Sequence, residues 1–468
     1  MKLPSPDEVR AALPAGAAAL VDPVLAAAAR HRVAVHLVGG PVRDLLLGRV
    51  LRDVDLLVEP RQDFGAAELV QAAGLVGVRV VVHDRFGTLR IEGAGPDGAC
   101  VVDVATVRSE RYPHAGALPT VAPGTLDDDL RRRDFTVNGL ALPLTAEARR
   151  ARPPVLQADD GLRDLDARVL RVFHPASFHD DPTRALRAAR LAARLGFTLS
   201  RSSRSALRDA LRDGVFGRVS GERLRREIEK LFEDARLGLD PSETLRLLAE
   251  WHVLGALEPG LGLPRRALAP LRRLGRAIAA PPWPPRRTRP WAAGLATWLA
   301  PLDPGLRART LGRFALRGEL AARIAAFPRR RDAWLRALAR ARGRGPIDAV
   351  LGPLSEEESL ALFAWAAPTV RRRILRYAVE DRPRRLPVTG EDLLALGLTG
   401  PAVGRALARI RSAFLDGAVR SRDDALALAR ELGQRRGRAP GTSRGKTKKR
   451  PGAVKRPAPD RAAGGPEV

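Results

Sequence analysis

Two carboxylates stand two residues apart inside an apolar run, Asp53 and Asp55 in LRDVDLLV (51–58). In a strand, residues two apart share a face and lie about 6.6–7 Å from each other. The pair therefore converges on one side. With no cation between them, each carboxylate would raise the other's pKa. A divalent ion resolves that conflict. Oxygen ligands favour Mg2+, which keeps waters and takes phosphate oxygens of a substrate as its remaining ligands. A third carboxylate on a neighbouring strand would complete a two-metal site with ions about 3.5–4 Å apart, and Asp103 in VVDVATV (101–107) is the candidate. Just upstream, Gly39 and Gly40 close the apolar run VAVHLV (33–38). Glycines let backbone amides approach a phosphate, and the start of a following helix favours anions. Arg43 could clamp the same phosphates. A lone Gly-Gly turn is most often structural and a lone D-x-D is commonly a solvated pair. A strand, two glycines, an arginine and a D-x-D within twenty-odd residues form a much more specific set.

The elements that must position these groups are legible. Residues 33–38 read as a buried strand ended by Gly39-Gly40, with Pro41 suited to the first turn of a short helix and Gly48 to its stop. A second strand is predicted over 54–58, a third and fourth over VRVVVHD (78–84) and TLRIEG (88–93), joined by RFG, and a fifth over CVVDVATV (100–107). The first 145 or so residues are thus mixed α/β. Beyond about 155 the texture becomes helical, with apolar residues at helical spacing and basic faces in 181–197, 221–235 and 241–254, and it stays so to about 433. The Pro-rich AAPPWPPRRTRPW (279–291) reads as a connection between subdomains. The end, 435–468, holds eleven basic and two acidic residues with repeated Pro and Gly, and reads as a disordered basic tail.

Composition bounds the partners. Lys plus Arg number 81 against 53 acids in 468 residues, a formal charge of +28. The usual partner of such a field is a polyanion, although charge alone carries no specificity. Cys100 is the single cysteine, so no intramolecular disulfide forms and a reducing, cytoplasmic compartment is expected. No apolar run reaches the length of a membrane span, and the N-terminus has no signal-peptide core. The seven histidines (31, 36, 83, 114, 174, 179, 252) fall in no metal-ligand spacing, which sets aside a metal phosphohydrolase reading of His179-Asp180.

GGPVRDLLLGRVLRDVDLLV (39–58) resembles the signature of class II nucleotidyltransferases of the DNA polymerase β superfamily, the group of bacterial CCA-adding enzymes and poly(A) polymerases. The likeness extends through 102–142, with its RRDFTVN (132–138), ADDGLRDLDARVLRV (158–172), FHDDPTRALRAARLAARLGF (178–197), VSGERLRREIEKLF (219–232) and GEDLLALGLTGPAVGRAL (390–407). It covers roughly residues 30–430. The resemblance implies an α+β fold: a small mixed-sheet head at 25–146, then an all-α neck at 147–256 and body and tail at 257–433, ahead of the basic stretch 434–468.

By the same resemblance, Asp53 and Asp55 hold the catalytic Mg2+. Asp103 helps activate the RNA 3′-hydroxyl, which attacks the α-phosphate of a nucleotide with loss of pyrophosphate. Gly39, Gly40 and Arg43 serve the triphosphate, and Arg133, Asp134 and Asn138 the ribose and phosphates. Asp181 and Arg184 select the base. A carboxylate accepts from an exocyclic amine and a guanidinium donates to ring acceptors. Cytosine and adenine both present that pattern, whereas guanine and uracil present a carbonyl where the amine would be. Arg187 and Arg190 are expected as further nucleotide contacts on the same helical face. Taken without the resemblance, Asp181 and Arg184 also fit an i,i+3 surface salt bridge.

The implied activity is addition of C and/or A to the tRNA 3′ end from CTP and ATP, without a template. The alternatives are a CC-adding or an A-adding specialist, a poly(A) polymerase, and an inactive basic RNA-binding protein. RSERYPHAGALPTV and ASFHDDPTR resemble the branch that includes A-adding members. Two departures stand out: Asp160-Gly161 where the family has two glycines, and Gly139 where it commonly has alanine.

Overall fold

The computed structural model describes residues 4, 6–14, 16–83, 87–95, 98–150, 152–280, 282–283 and 288–437. The chain forms two compact units, one of residues up to 342 together with 346–383, the other of 343–345 together with 384 onward.

In the first unit the predicted strands appear as β1 (Ala34–Val38), β2 (Val54–Glu59), β3 (Arg79–His83), β4 (Thr88–Gly95) and β5 (Gly98–Thr106). A hairpin that the sequence did not reveal follows, β6 (Arg108–Arg111) with β7 (Thr120–Pro123), and then β8 (Leu140–Pro143) and β9 (Leu156–Gln157). Seven of these strands make one sheet in the order β3-β4-β5-β2-β1-β8-β9. Every neighbouring pair is antiparallel except β2 and β5, which run parallel with Asp55 opposite Asp103.

The pleat sorts the side chains. Val35, Leu37, Val54, Leu56, Val58, Val102 and Val104 face one way and join Leu20, Val24 and Leu69 in the main core. Leu20 and Val24 come from the helix Ala17–His31, and Leu69 from Ala66–Ala72. Val38, Leu57 and Ala141 face the other way, against Leu126 and Leu130 of the helix Leu126–Arg131. By alternation Asp55 and Asp103 lie on this second face. The helix Gly40–Leu46 begins with Pro41 in its first turn and gives way to Gly48 at φ +66°, as its sequence predicts.

The rest of this unit is helical. In Arg184–Leu195, Ala185, Ala188, Ala189, Ala192 and Leu195 are buried at helical spacing, and Gly196 ends the helix at φ +72°. Arg313 joins neighbouring segments by donating to the backbone carbonyls of Phe216 (2.7 Å), Val219 (3.0 Å) and Leu257 (3.1 Å). The Pro-rich segment does not mark the break between units. Trp283 is buried edge-on to Phe363 at 6.0 Å, and Pro290 starts a buried helix, Pro290–Trp298, so the segment is anchored on both sides within the first unit.

The second unit packs the helices Gly390–Ala395, Pro401–Leu415 and Arg422–Gly437 around Val388, Leu393, Ile410 and Ala425. The last of these helices runs into the stretch predicted as a basic tail, the remainder of which, from 438, lies outside the described residues. Among the described residues no helix is long and apolar enough to cross a membrane.

Candidate active site

The turn between β1 and the helix Gly40–Leu46 depends on Gly39, which sits at φ +76°, ψ −134° and donates its N–H to Leu140 O at 3.0 Å. The backbone there is one that L-residues avoid, and a Cβ, 2.6 Å from Arg133 Nη1, would also push that guanidinium aside. The close approach sets Arg133 beside the glycine turn, with Nη2 donating to the fully buried Asp129 at 3.1 Å.

Asp53 immediately precedes β2 and Asp55 is its second residue. Burial pushes the Asp55 carboxyl up to about 6; Arg133 opposes this, while Asp103 and Asp53 add to it. Neither Asp53 nor Asp55 has a side-chain hydrogen bond or ion pair among the described residues. Asp103, in register on β5, is taken by Arg90 of β4, which donates Nε and Nη2 to its two oxygens at 2.9 Å each. Among the described residues no group of three or more His, Cys, Asp or Glu side chains is arranged to hold a metal ion. Asp53 and Asp55 remain as two carboxylates without a side-chain partner beside a partly buried face, and are the residues that could hold a cation there. That is the number of protein carboxylates a hard divalent cation uses when substrate phosphates complete its shell.

Beyond this pair lies a continuous web of charge. Arg43 is buried, which holds its guanidinium below the ordinary value against the pull of Asp44. It donates to Asp44 Oδ1 at 2.9 and 2.7 Å and to Asn138 Oδ1. Asn138 donates to Asp134 Oδ1 at 2.8 Å, and Phe135 N donates to the same oxygen at 3.0 Å. Arg187 then bridges two carboxylates, Nε to Asp134 at 3.2 Å and Nη2 to Asp181 Oδ2 at 3.0 Å. Burial raises the pKa of Asp134, but Arg187, Asn138, Arg184 and Arg43 outweigh it, so the net shift is downward.

Asp181 and Arg184 do not share a helical face, contrary to the reading from spacing. Asp181 is extended (φ −136°, ψ 93°), as expected of a residue before proline, and the helix starts at Arg184. Nor are they a surface salt bridge: both are buried, at 6% and 3% exposure, and they bond to other groups. Asp181 Oδ1 accepts from Thr183 N (3.0 Å), Thr183 Oγ1 (2.6 Å) and Arg223 Nη2 (2.8 Å). Its Oδ2 has Arg187 as its one donor among the described residues. Burial raises the Asp181 carboxyl, yet Arg187, Thr183, Arg223 and Arg184 bring it down to about 2. Arg184 donates to Ser177 Oγ and to Arg132 O (3.0 Å), lies 5.8 Å over the Tyr112 ring, and keeps a buried Nε without a partner. The two residues thus leave one carboxylate oxygen with a single donor and one buried guanidinium nitrogen without a partner.

Arg190 goes elsewhere. It is fixed by Asp234, at 2.8 and 3.0 Å, and by Glu227 at 3.2 Å. Each three-residue step along a helix turns the side chain by about −60°, so Arg190 is already about 120° from Arg184. Of the two sequence departures, Asp160 has φ −88°, which needs no glycine. Gly161 is the position that cannot take a side chain, since a Cβ would lie 2.7 Å from Thr136 O. At Gly139 the space an alanine would fill is held by Phe173, 2.6 Å from such a Cβ. Thr183, Arg223, Asp129 and Tyr112 escaped sequence reasoning, because their partners are remote or their roles are hydrogen bonds to backbone and carboxylates that no spacing records.

Residues 35–171 match the family model of the poly(A) polymerase head domain. The chain is 35% identical over 392 residues to the CC-adding tRNA nucleotidyltransferase of Deinococcus radiodurans, covering 83% of this chain and 86% of that one. It is 31% identical over 412 residues to the A-adding tRNA nucleotidyltransferase of Geobacter sulfurreducens, covering 85% of this chain and 45% of that one. Among solved structures it resembles a CCA-adding enzyme in complex with CTP (TM-score 0.64, 26% identity, 91% of this chain and 98% of that one). It also resembles the Thermotoga maritima CCA-adding enzyme complexed with tRNA (TM-score 0.62, 26% identity, 92% and 99%). A relative 35% identical across most of both chains, together with the match of the head domain, shows that the chain belongs to the tRNA nucleotidyltransferase and poly(A) polymerase family.

Proposed function

We propose that this protein adds C and/or A to the 3′ end of tRNA from CTP and ATP, without a nucleic-acid template. The observation that carries the reading is the Asp181–Arg184 pair: a carboxylate kept ionised, with Oδ2 only partly engaged, beside a guanidinium with a buried, unpartnered Nε. The edge of cytosine or adenine that carries the exocyclic amine complements this pair, whereas uracil or guanine would turn a carbonyl oxygen toward the carboxylate.

The chain's own groups divide the remaining work. Gly39 and Gly40 leave room for a triphosphate beside Arg133. Arg43, Asn138 and Asp134 form the floor on which the ribose rests, with Arg187 fixing Asp134 relative to Asp181. Asp103 sits in register with Asp55, where it can accept the proton of the tRNA 3′-hydroxyl once Arg90 shifts. The family uses a divalent metal, which we assign as Mg2+ held by Asp53 and Asp55; when bound it supplies charge stabilisation at the phosphates. The helical region, assigned as neck 147–256 and body and tail 257–433, takes the tRNA acceptor arm by phosphate contacts, with the basic stretch 434–468 adding charge. A cytoplasmic location accompanies this role.

A CC-adding or an A-adding specialist is the second reading, since the relatives similar to this chain include enzymes of both kinds. The test uses tRNAs ending at the discriminator base, at C and at CC. CTP and ATP are offered singly and together, and products are read at single-nucleotide resolution. Completion to CCA supports the full activity and arrest at CC the CC-adding specialist. Long A tracts on generic RNA would replace both with poly(A) polymerase, and no incorporation with Mg2+ present would refute the enzyme reading.

A further inference from the structure

Arg223 lies in the helix Gly221–Glu233, and its guanidinium is shared between the Asp181 carboxylate and the turn that joins β6 to β7. Nη2 donates to Asp181 Oδ1 at 2.8 Å, and Nη1 donates to Gly116 O at 2.6 Å, in the turn between β6 and β7. The same turn reaches back: Gly116 N donates to His179 O at 3.0 Å, two residues before Asp181. Gly116 holds φ +74°, which lets its N–H and C=O serve both contacts.

We propose that Arg223 is a positioning residue for base selection: it pins Asp181 Oδ1, and with Gly116 ties the β6–β7 turn to the selector segment, so that Oδ2 alone is presented to the incoming base. The inference rests on the reading of Asp181 as the base acceptor. A carboxylate can rotate about its last bond and exchange its two oxygens. With Thr183 and Arg223 saturating Oδ1, that rotation would break three hydrogen bonds at once, so the free lone pair keeps a fixed direction. Selection by pattern needs such a direction. A carboxylate free to turn would accept an amine from several poses and would also swing away from a carbonyl instead of rejecting it. Guanidinium geometry suits this, since its two Nη groups reach two acceptors in one plane.

The experiment uses the full chain and a tRNA ending at CC, or at the discriminator base if only C is added. KM and kcat are measured for CTP and ATP, and kcat/KM for UTP and GTP, in wild type, Arg223→Ala, Arg223→Lys and Asp181→Asn. For Arg223→Ala we expect KM for the cognate nucleotide to rise about 10-fold, as for one lost charge-assisted hydrogen bond. Kcat should fall less, and preference over UTP and GTP should drop about 10-fold. Arg223→Lys, which keeps a donor for Asp181, should recover much of the preference. A purely structural role would lower thermal stability and active fraction while leaving the nucleotide ratios at wild type, and that result overturns the proposal. If Arg223→Ala does not fold, Arg223→Gln takes its place in the comparison. Wild-type discrimination in Asp181→Asn would instead remove the selector reading beneath it, a failure distinguishable from a silent Arg223.

Discussion

Replacing Arg187 with methionine should cost the protein about 2–3 kcal/mol at neutral pH, and the loss should fade in acid. Arg187 lies between Asp134 and Asp181, 3.2 and 3.0 Å from their oxygens. Asp181 titrates at about 2 instead of 3.8; burial works against that shift and Arg187 is the largest of the groups that produce it. Nearly two pKa units at about 1.4 kcal/mol each amount to about 2.4 kcal/mol of folded-state stabilisation of the charged form. Breaking a buried pair from one side typically costs about 3–5 kcal/mol. The Arg187 side chain keeps 30% of its surface exposed, which puts the expectation at or below the lower end of that range. The sign follows from the depressed pKa. Asp181 contributes stability above its unfolded value near 4, and the contribution disappears as pH falls through about 2. Urea unfolding of wild type and Arg187→Met, followed by circular dichroism at pH 7, 5, 3.5 and 2.5, reads the gap directly. It should be widest at pH 7 and narrow steadily below pH 4. A gap under about 0.5 kcal/mol at pH 7, in the range of a solvated ion pair, or one that stays constant down to pH 2.5, would refute the reasoning.

Asp53→Asn and Asp55→Asn should each abolish nucleotide incorporation while leaving tRNA affinity in a gel-shift assay within about twofold; a loss of tRNA binding would place these carboxylates in the RNA interface instead. Gly39→Ala should lower stability by about 1–3 kcal/mol through backbone strain and raise KM for the nucleotide by displacing Arg133, both measurable on one preparation by thermal melting and steady-state kinetics. Affinity for tRNA should fall at least 10-fold between 50 and 200 mM salt, as phosphate contacts require; a flat response would argue against binding through the +28 field.

Much of the head was legible because its signals are local. β1, β2 and β5 announce themselves as short apolar runs and the glycines mark the turn, while of the two acids Asp55 lies within β2 and Asp53 just before it. Register between β2 and β5 is not local, yet Asp103 could be named as a carboxylate within a further apolar run, and the structure sets it opposite Asp55. The β6–β7 hairpin escaped because RSER and TVAP are four residues each, without apolar alternation and with a proline. The selector region misled for a different reason. Spacing of three suggested a shared helical face for Asp181 and Arg184, but Asp181 precedes Pro182 in extended backbone and bonds to Thr183, Arg187 and Arg223, while Arg184 turns to Ser177 and Arg132. Ion pairs spanning forty residues or more leave no periodic trace, so neither Arg223's tie to Asp181 nor Arg190's diversion to Asp234 was readable.

The parallel pairing of β2 with β5 bears on how such a chain can change length over evolutionary time. Asp55 and Asp103 share a face because both strands keep step, and one residue gained or lost within either would turn every side chain beyond it to the opposite side. Leu56 or Val104 would then take the station of the acids on the second face and a carboxylate would enter the main core. Drift by single insertions is therefore closed to 54–58 and 102–106 but open at the outer hairpins and in the helical connections, so that divergence in length should collect away from the two strands that carry the acids.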